Sequence, residues 1–420
     1  MSDHIKFGNK YIASHKDNRV FSRGDFYGYK DGVWLKLDIV RKELWNLSTK
    51  NGSTANSAYV GSVLDYLREY YRQSDDLFDS NPDLICLKNG VLNLSTMKFD
   101  KHSPDYYFTS QLGFNYDKNA KCPLWRKFVS QVLITTDGKS DQSMIDFIQE
   151  AFGYSLTASV EHEISFWMIG EGANGKSTML YILGRLAGSS AIHLSLGMLD
   201  RDRYQLADIG GKRVVICTEA PETTVAHTVL KQIISGDPMN VRAIRGHPFV
   251  INPTAKVWWA MNNSPRVEDT SEGFWRKMKV IPFNKSFEVS ERDKRLRFKL
   301  AEELPGIFNW ALEGLRRLEN DGAFTDSDQI DDATVQYRSE SNLAKEFLDE
   351  CGNLIPAGFT LACDLYDAYT VWCKRYGYKR DSQKRVASDW RRLGLKRGKE
   401  SGKRVWYGIE LVEEKDEFLP

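Results

Sequence analysis

The sequence lacks the features that mark several classes of protein. Its six cysteines, at positions 86, 122, 217, 351, 363 and 373, are scattered without a C-x-x-C pair. That spacing argues against a structural zinc site and fits free thiols in a reducing interior. No apolar stretch approaches the length of a membrane span, and the polar N-terminus has no apolar signal segment. We therefore expect a cytoplasmic protein that makes no membrane contact.

A surplus of charge of either sign is also missing. The net charge is +1, so the chain as a whole does not attract nucleic acid, and any such contact must come from local clusters. We find no internal repeat and no low-complexity tract. The 420 residues, with 41% hydrophobic and 27% charged side chains, are enough for two or three globular domains.

A glycine-rich run is the most informative feature that is present. Residues 170–178 match the pattern G-x-x-x-x-G-K-[ST], after a β-rich apolar run at 164–169 and before a helical pattern that Gly188 stops. A chance match is the alternative, but a strand, a glycine turn and a helix start are the context that supports the motif. The residues that we expect around the phosphates are Gly170, Gly172, Ala173, Asn174, Gly175, Lys176, Ser177 and Thr178.

The chemistry of phosphate binding explains these residue types. Glycines let consecutive backbone N–H groups point inward, and the start of a helix adds positive potential. Lys176 would reach the β- and γ-phosphates, and the Ser177 hydroxyl would ligate magnesium. The sequence therefore predicts a nucleoside triphosphate site, for ATP with Mg²⁺.

Two further buried strands end in polar residues. Residues 213–219 end in Glu219, whose carboxylate would hold magnesium or polarise the attacking water. Residues 256–261 lead into Asn262, whose amide would position that water. An asparagine after a strand is by itself usually a turn residue. Because ligands bind at the carboxyl ends of parallel strands, the succession of loop, acid and amide favours the functional interpretation.

This order resembles the superfamily 3 helicases, in particular the helicase half of phage, plasmid and poxvirus-type primase-helicases. The family places a lysine-containing helix with a Gly-Asp turn, a basic hairpin, the asparagine strand and an arginine near Pro-Phe after the acidic strand. In this sequence the lysine helix and its Gly-Asp turn are residues 230–231 and 235–237, and the basic hairpin is 241–247. The asparagine is residue 262, followed by a proline at 265, and the arginine segment is 274–277, before the Pro-Phe within 281–283. Residues 88–92 and 303–311 also look like the family.

The resemblance implies an α/β, AAA+-like ATPase core that assembles as a ring, a hexamer in the family's manner, and unwinds DNA during replication. In such a ring Arg276 would act on the ATP of the neighbouring subunit, with Lys277 as a candidate to share the role. The hairpin residues Arg242, Arg245 and His247 would grip single-stranded or forked DNA. Many members end the acidic strand with two acids, whereas Thr218 precedes Glu219 here, so a contribution from Glu222 stays open.

We divide the chain into five regions. Residues 1–120 form a mixed α/β region with a hairpin that turns at Asp31 and Gly32, a helix at 58–72 and strands within 84–94. Residues 121–160 form a helical collar, 161–285 the ATPase core, 286–340 a helical segment and 341–420 a basic tail domain. The first 120 residues show no room or acid cluster for a primase or polymerase domain. A stand-alone helicase and a fragment of a longer primase-helicase, cytoplasmic in the host if phage-encoded, both remain open.

The tail is where the local charge departs from the average. Residues 374–404 hold thirteen Lys or Arg against three acids, a local charge of +10. Two helices, at 361–376 and 384–393, and a hairpin at 396–411 suggest a winged helix that contacts phosphates. The alternative is a solvated basic face, and most of the tail's aromatic residues suit a core better than a stacking platform. The residues that we assign to DNA binding are Lys384, Arg385, Arg391, Lys396 and Lys403.

Three functions fit these patterns to different degrees. A DNA-translocating ATPase needs a trans-acting arginine and pore residues, and the sequence offers candidates for both. A nucleotide-switched DNA-binding or origin-recognition module would need only nucleotide binding. A small-molecule kinase would need a lid and an acceptor pocket, which we cannot identify, and it would not explain the basic tail. We therefore predict the motor, with its polarity and the choice of DNA or RNA left open.

Overall fold

The computed structural model divides the chain into two compact units, Met1–Thr334 and Val335–Pro420. It describes residues 3–15, 18–50, 56–74, 77–195, 203–218, 227–242, 248–262, 271–356, 358–378 and 380–412. Within these residues, no helix is both long and apolar enough to cross a membrane. All six cysteines lie in this part of the chain and are free thiols.

The first unit begins with three helices around an antiparallel three-stranded sheet. The elements are α1 (Asp3–His15), β1 (Arg19–Ser22), β2 (Asp25–Lys30), β3 (Val33–Lys36), α2 (Val40–Lys50) and α3 (Ser57–Tyr70). The predicted hairpin is confirmed, because β2 pairs with β3 across Asp31 and Gly32, whose φ angles are 52° and 90°. Such a two-residue turn matches the twist of the strands that it joins. Tyr11, Phe26 and Leu67 lie in the shared core.

A second antiparallel sheet and two helices follow. The elements are β4 (Leu84–Leu87), β5 (Gly90–Asn93), β6 (Phe99–Asp100), α4 (Pro123–Val132) and α5 (Gln142–Ser155). These bounds confirm the strands predicted within 84–94, and both helices lie within residues 121–160, which were predicted to be helical. Helix α4 begins at a proline, which suits a first helical position because its missing N–H would have no partner there.

The centre of the first unit is a five-stranded parallel sheet in the order β13-β7-β12-β9-β8. The strands and connecting helices are β7 (Ser165–Ile169), α6 (Lys176–Ala187), β8 (Ala191–His193), α7 (Arg203–Ala207), β9 (Val214–Cys217), α8 (His227–Ser235), β10 (Met239–Arg242), β11 (Pro248–Ile251), β12 (Lys256–Met261), α9 (Glu272–Trp275) and β13 (Met278–Pro282). Every residue of β9 and β12 is buried, as expected for parallel strands that are covered on both faces. Strands β10 and β11 pair separately as a hairpin.

Helices after the sheet complete the core of the first unit. They are α10 (Leu296–Glu302), α11 (Leu304–Asp321) and the first part of α12 (Asp328–Glu340), which continues beyond Thr334 into the second unit. Helix α11 crosses α5 at close range, because a Cβ on Gly153 would lie 2.3 Å from the carbonyl oxygen of Ala311. Arg317 Nε then donates to the fully buried Glu150 at 2.6 Å. One hydrophobic core joins α4, α5, α6 and α11 to the sheet, and the predicted helical spacing of Leu300, Ile307 and Trp310 is confirmed.

The second unit combines helices with a small antiparallel sheet. Its elements are α13 (Leu343–Cys351), β14 (Gly352–Asn353), β15 (Phe359–Leu361), α14 (Ala362–Arg375), α15 (Gln383–Arg392), β16 (Lys396–Glu400), β17 (Lys403–Tyr407) and β18 (Glu410–Leu411). The three-stranded sheet has the order β15-β17-β16, and β14 pairs with β18. The two predicted helices and the hairpin that turns near Gly402 are confirmed. The sequence reasoning missed α13 and the short strands β14, β15 and β18.

Candidate phosphate-binding site and basic surfaces

The glycine-rich run forms the turn between β7 and α6. Gly170 follows the last residue of β7, and Lys176 is the first residue of α6. Gly175 caps the helix with a φ of 97°, and a Cβ there would lie 2.8 Å from Cγ1 of Val132 on α4. Both the backbone angle and the close approach of α4 therefore require glycine at this position.

Lys176 is held inside this loop. Its Nζ donates to the carbonyl oxygens of Gly170 and Glu171 and to Oδ1 of Asn174, the last at 3.0 Å. Only 4% of each of the residues Lys176 and Asn174 is exposed. Burial lowers the pKa of Lys176 to about 8. The ammonium thus sits inside the loop, among three acceptor oxygens.

The residues after Lys176 lie at the start of α6 and are more open. Ser177 is exposed and Thr178 is partly exposed, so the first hydroxyl of the helix faces solvent. Helix N-termini favour anions through their free N–H groups and dipole. The loop, the buried lysine and the exposed serine hydroxyl together fit a polyphosphate with an oxygen-ligated cation.

The segment after β13 supports the back of the loop, which the sequence reasoning missed. The Phe287 N–H donates to the carbonyl oxygen of Ala173 at 3.0 Å, and the Ser286 hydroxyl donates to that of Gly172 at 3.4 Å. Strand β13 runs parallel to β7, with Pro282 opposite Ile169, so its carboxyl end arrives beside the loop. The mostly apolar run at residues 278–283 could have indicated this, because a further parallel strand there would bring the residues that follow it to the loop.

The strand register brings Asn262 and Thr218 to the same edge of the sheet. Strand β12 lies between β7 and β9, with Met261 opposite Ile169 and Trp259 opposite Cys217. Asn262, which is exposed, therefore comes next to the start of the phosphate loop. Thr218 follows β9 at this edge and is exposed too. Glu219 and Glu222 lie outside the described residues, so their roles stay predictions.

Arg276 and Lys277 lie at the opposite end of the sheet. Both precede β13, whose first residue pairs with Ser165 at the amino end of β7. The Arg276 side chain is 68% exposed and lies 3.8 Å from the Glu163 carboxylate. The Lys277 side chain is 10% exposed and donates to the same carboxylate at 2.6 Å. The two neighbouring cations therefore differ in exposure, which the sequence does not reveal.

The predicted DNA-binding residues fall on two separate surfaces. In the first unit, Arg242 is exposed at the end of β10, where the antiparallel partner is Pro248. Arg245 and His247 lie outside the described residues, between β10 and β11. Among the residues that the structure describes, no group of three or more His, Cys, Asp or Glu side chains is arranged to hold a metal ion.

In the second unit the basic residues line α15 and the β16–β17 hairpin. Lys384, Arg391, Lys396 and Lys403 are exposed. Arg385 is only partly exposed and forms an ion pair with Asp381 at 3.0 Å. The two tryptophans of this region are almost fully buried, Trp390 and Trp406 each being 1% exposed. The basic surface is therefore built from cations, while these two aromatic rings belong to the core.

Comparison with known proteins assigns two segments of the chain to described families. Residues 10–134 match the family described as "D5 N terminal like", and residues 168–277 match the "Family of unknown function (DUF5906)". The second segment contains the phosphate loop, β9, β12 and Arg276. The first contains the antiparallel sheets β1–β3 and β4–β6 and all of α4.

Viral proteins are among the relatives. The chain is 25% identical over 341 residues to a protein named putative helicase of Acanthamoeba polyphaga mimivirus, covering 75% of this chain and 34% of that protein. It is 26% identical over 246 residues to a protein named putative helicase of Invertebrate iridescent virus 6, covering 52% of this chain and 24% of that protein. The chain thus spans between a quarter and a third of the length of these relatives. Together with the D5 match, they support a relationship to D5-like primase-helicases.

A solved structure shows that the fold has a counterpart. The chain superposes on the C-terminal region of NrS-1, in an apo form, with a TM-score of 0.53 and 11% identity, covering 98% of this chain and all of that one. At this identity the match concerns the fold alone.

Proposed function

We propose that this chain is the ATP-hydrolysing motor of a ring-forming DNA helicase of the superfamily 3 type, acting in the replication of viral, phage or plasmid DNA. The observation that carries the proposal is the register of the parallel sheet. It brings the phosphate loop after β7, Asn262 after β12 and Thr218, the residue before Glu219, after β9 to one edge of the sheet, where ligands of parallel sheets bind.

The chemical roles follow from these positions. Bound ATP with Mg²⁺ would supply the phosphoryl group and the charge that the loop must stabilise. Lys176 would then leave its carbonyl partners for the β- and γ-phosphates, while Ser177 and Glu219 hold magnesium and Asn262 orients the attacking water. Asn174, which accepts from Lys176 at 3.0 Å, would keep the ammonium aimed at the phosphates.

The position of Arg276 supports an action between subunits. Strand β13 has five residues, so Arg276 is separated from the carboxyl edge of its own sheet by about 13 Å or more at 3.3 Å per residue. An exposed arginine at the amino edge is out of reach of the phosphate loop of its own chain. A ring, a hexamer by resemblance, would bring it to the ATP of the neighbouring subunit, where such arginines stabilise the transition state.

DNA contacts are assigned to two surfaces. The hairpin with Arg242, Arg245 and His247 follows α8, which connects it along the chain to the acidic strand. Two helices followed by a hairpin support our assignment of a winged helix to the second unit, in which Lys384, Arg385 and Arg391 on α15 and Lys396 and Lys403 on the β16–β17 hairpin would contact DNA. Cations on a helix and an adjacent hairpin suit the phosphates of a duplex or fork.

The test compares ATP hydrolysis with unwinding. Wild-type protein should hydrolyse ATP, separate a forked duplex and form nucleotide-dependent rings visible by electron microscopy. Lys176→Ala should abolish both activities, because one cationic contact to the developing phosphoryl charge contributes several kcal/mol. Lys127→Ala, at an exposed lysine on α4, is the matched control and should retain both. Hydrolysis and DNA binding without unwinding of any fork would instead support the nucleotide-switched module, and phosphate transfer to a small molecule would support a kinase.

A further inference from the structure

Lys277 sits in a buried contact that joins three segments of the first unit. Its Nζ donates to Glu163 Oε2 at 2.6 Å and to the hydroxyl of Ser235. Glu163 lies just before β7, and Ser235 is the last residue of α8. The Lys277 carbonyl oxygen accepts from both the N–H and the hydroxyl of Ser165, at 2.8 Å and 3.1 Å. The residue is thus fixed through its backbone and its side chain.

These contacts make Lys277 unlike its neighbour Arg276 in exposure and in the number of its partners. With a side chain 10% exposed and two side-chain partners, Lys277 is not available to a second subunit. The Arg276 side chain is 68% exposed, and its 3.8 Å approach to Glu163 is long for an ion pair. An exposed pair of this kind contributes little free energy, so Arg276 leaves Glu163 readily, whereas Lys277 stays.

Helix α8 is attached to the same region a second time. Lys231 Nζ lies 3.4 Å from the hydroxyl of Ser271 and 5.6 Å from the centre of the Phe274 ring. Ser271 and Phe274 belong to the short segment that carries Arg276. Since β10 begins four residues after Ser235, α8 connects this segment to the hairpin.

We infer that Lys277, Glu163 and Ser235 form a positioning clamp, which holds Arg276 at the subunit edge and couples its engagement to α8 and the β10–β11 hairpin. This inference rests on the proposed ring ATPase. Glu163 keeps Arg276 extended from the amino edge of the sheet until Arg276 pairs instead with an anion bound to the neighbouring subunit. Lys277 holds Glu163 and α8 in place during that exchange, so it is a positioning residue and not a second trans-acting cation.

The test uses the full chain with Lys277→Met, which removes the charge and keeps most of the side-chain volume. We expect kcat for ATP to fall by about 10- to 100-fold, the range for a misplaced catalytic group, while the affinity for ATP stays within about twofold. Stimulation of ATPase by DNA should be lost. Lys277→Arg, which can reach the same acceptors, should restore most of both. Lys279→Met is the matched control, because Lys279 lies two residues further along the chain, on β13, and pairs with Asp331 instead; it should behave as wild type.

Mixing experiments separate positioning from a general structural role. Lys277→Met mixed with Lys176→Ala protein should regain ATPase at hybrid interfaces, because each mutant supplies what the other lacks. The double variant Arg276→Ala/Lys277→Met should be no worse than Arg276→Ala. Additive losses, or no recovery on mixing while rings still form, would overturn the inference.

The inference and the proposed function fail in different ways. If Arg276→Ala hydrolyses ATP normally, the trans assignment is wrong and the clamp has nothing to position. If Arg276→Ala is inactive but Lys277→Met is fully active and DNA-stimulated, the ring motor stands and the clamp is wrong. If Lys277→Met does not fold, Glu163→Gln tests the same clamp from its other side. Glu163 is partly exposed, and the glutamine amide removes the negative charge that pairs with Lys277 while keeping a neutral acceptor.

Discussion

Lys256 Nζ lies 2.6 Å from the carbonyl oxygen of Thr157, two residues beyond the end of α5. The same ammonium donates to the Thr254 carbonyl oxygen at 2.9 Å and lies 4.8 Å from the centre of the Tyr154 ring. Lys256 is the first residue of β12, and it is buried. The contact therefore fixes the amino end of the central strand to α5, and with it the register that brings Asn262 to the phosphate loop.

The first prediction concerns this buried cation. Burial holds the pKa of Lys256 well below 10.5, its value in an unfolded chain. Between the two values the unfolded chain binds one more proton than the folded chain, so the free energy of unfolding rises with pH in this window. In Lys256→Met the slope should fall, by up to about 1.4 kcal/mol per pH unit. Urea unfolding between about pH 7 and pH 10, followed by tryptophan fluorescence, measures the slope.

The matched control for this prediction is Lys127→Met, at a solvent-exposed lysine on α4. It should keep the wild-type slope. Other lysines with a lowered pKa contribute equally to wild type and variant, so the difference isolates Lys256. An unchanged slope in Lys256→Met would show that this lysine is charged in the folded protein.

The second prediction concerns the pH dependence of ATP binding. The pKa of Lys176 is lowered to about 8 by burial, and bound phosphates would raise it. Below pH 8 the lysine already carries its proton. Above that pH, binding must take up a proton, so the Kd for ATP should rise by up to about tenfold per pH unit. Titration calorimetry from about pH 7.5, where the phosphates are fully ionised, to pH 9.5 gives the profile. Lys176→Arg keeps its charge and should give a flat profile; a flat wild-type profile contradicts the prediction.

Much of the site was predictable because its signals are local in the sequence. The phosphate loop needs one strand, one turn and one helix in succession, and β7 and α6 supply them within 23 residues, from Ser165 to Ala187. Strands β9 and β12 are buried on both faces, so each appears as a continuous apolar run. The placement of Asn262 beside the loop followed from these runs and the rule that ligands bind at the carboxyl ends of parallel strands.

What the sequence did not reveal depends on contacts between distant segments. Arg276 and Lys277 are adjacent cations, and only the fold shows that Glu163 and Ser235 bury the second and leave the first exposed. In the same way, the sequence suggests only that Lys256 marks the start of a strand. The fold shows that it donates a hydrogen bond to the carbonyl oxygen of Thr157. In the second unit, α13 escaped notice because the acidic residues within it obscure the apolar spacing of Ala344, Phe347 and Leu348.

The third prediction concerns Glu219, which follows β9 in the sequence. Glu219→Gln should bind ATP within a few-fold of wild type but lose turnover by about 100-fold or more, because the neutral amide no longer polarises the attacking water. Glu222→Gln is the matched control and should turn over normally. Single-turnover hydrolysis together with nucleotide binding separates the two effects. Near-normal turnover in Glu219→Gln and a loss in Glu222→Gln would move the role to Glu222.

The fourth prediction concerns the basic surface of the second unit. Replacing the exposed Lys384, Arg391, Lys396 and Lys403 by Gln should weaken binding to forked DNA. It should also reduce the slope of log K against log salt by about 3, since each phosphate contact releases about 0.7 to 0.9 of a counterion. Arg385→Gln alone should have a smaller effect, because this side chain is partly covered and paired with Asp381.

Fluorescence anisotropy over a range of salt concentrations measures these slopes. The control is a variant with the same change in net charge, made by replacing the exposed Lys98, Lys118, Lys127 and Lys139 of the first unit by Gln. It should retain the wild-type slope. Equal losses in both variants would mean that overall charge, and not the surface formed by α15 and the β16–β17 hairpin, attracts the DNA.

The fifth prediction tests whether Arg276 acts across a subunit interface. Arg276→Ala and Lys176→Ala should each be inactive alone. Mixed, they should recover part of the ATPase, because some interfaces then combine an intact phosphate loop from one subunit with an intact arginine from the next. Such an arginine contributes about 10³- to 10⁵-fold in rate, so recovered activity stands out against a low background. ATPase is measured as a function of the mixing ratio, with ring formation checked by electron microscopy.

The dependence of ATPase activity on the mixing ratio tests the interface model more closely than the maximum activity does. If each active interface works independently, activity follows the product of the two fractions and peaks at an equal mixture. A control mixture of Lys176→Ala with Asn174→Ala, which share the phosphate-loop side of the interface, should recover nothing, because no hybrid interface then has an intact loop. No recovery in the Arg276 mixture while mixed rings form would rule out an action of Arg276 across the interface. Recovery in the control mixture would show that the regained ATPase does not come from hybrid interfaces, and the trans assignment would lose its support.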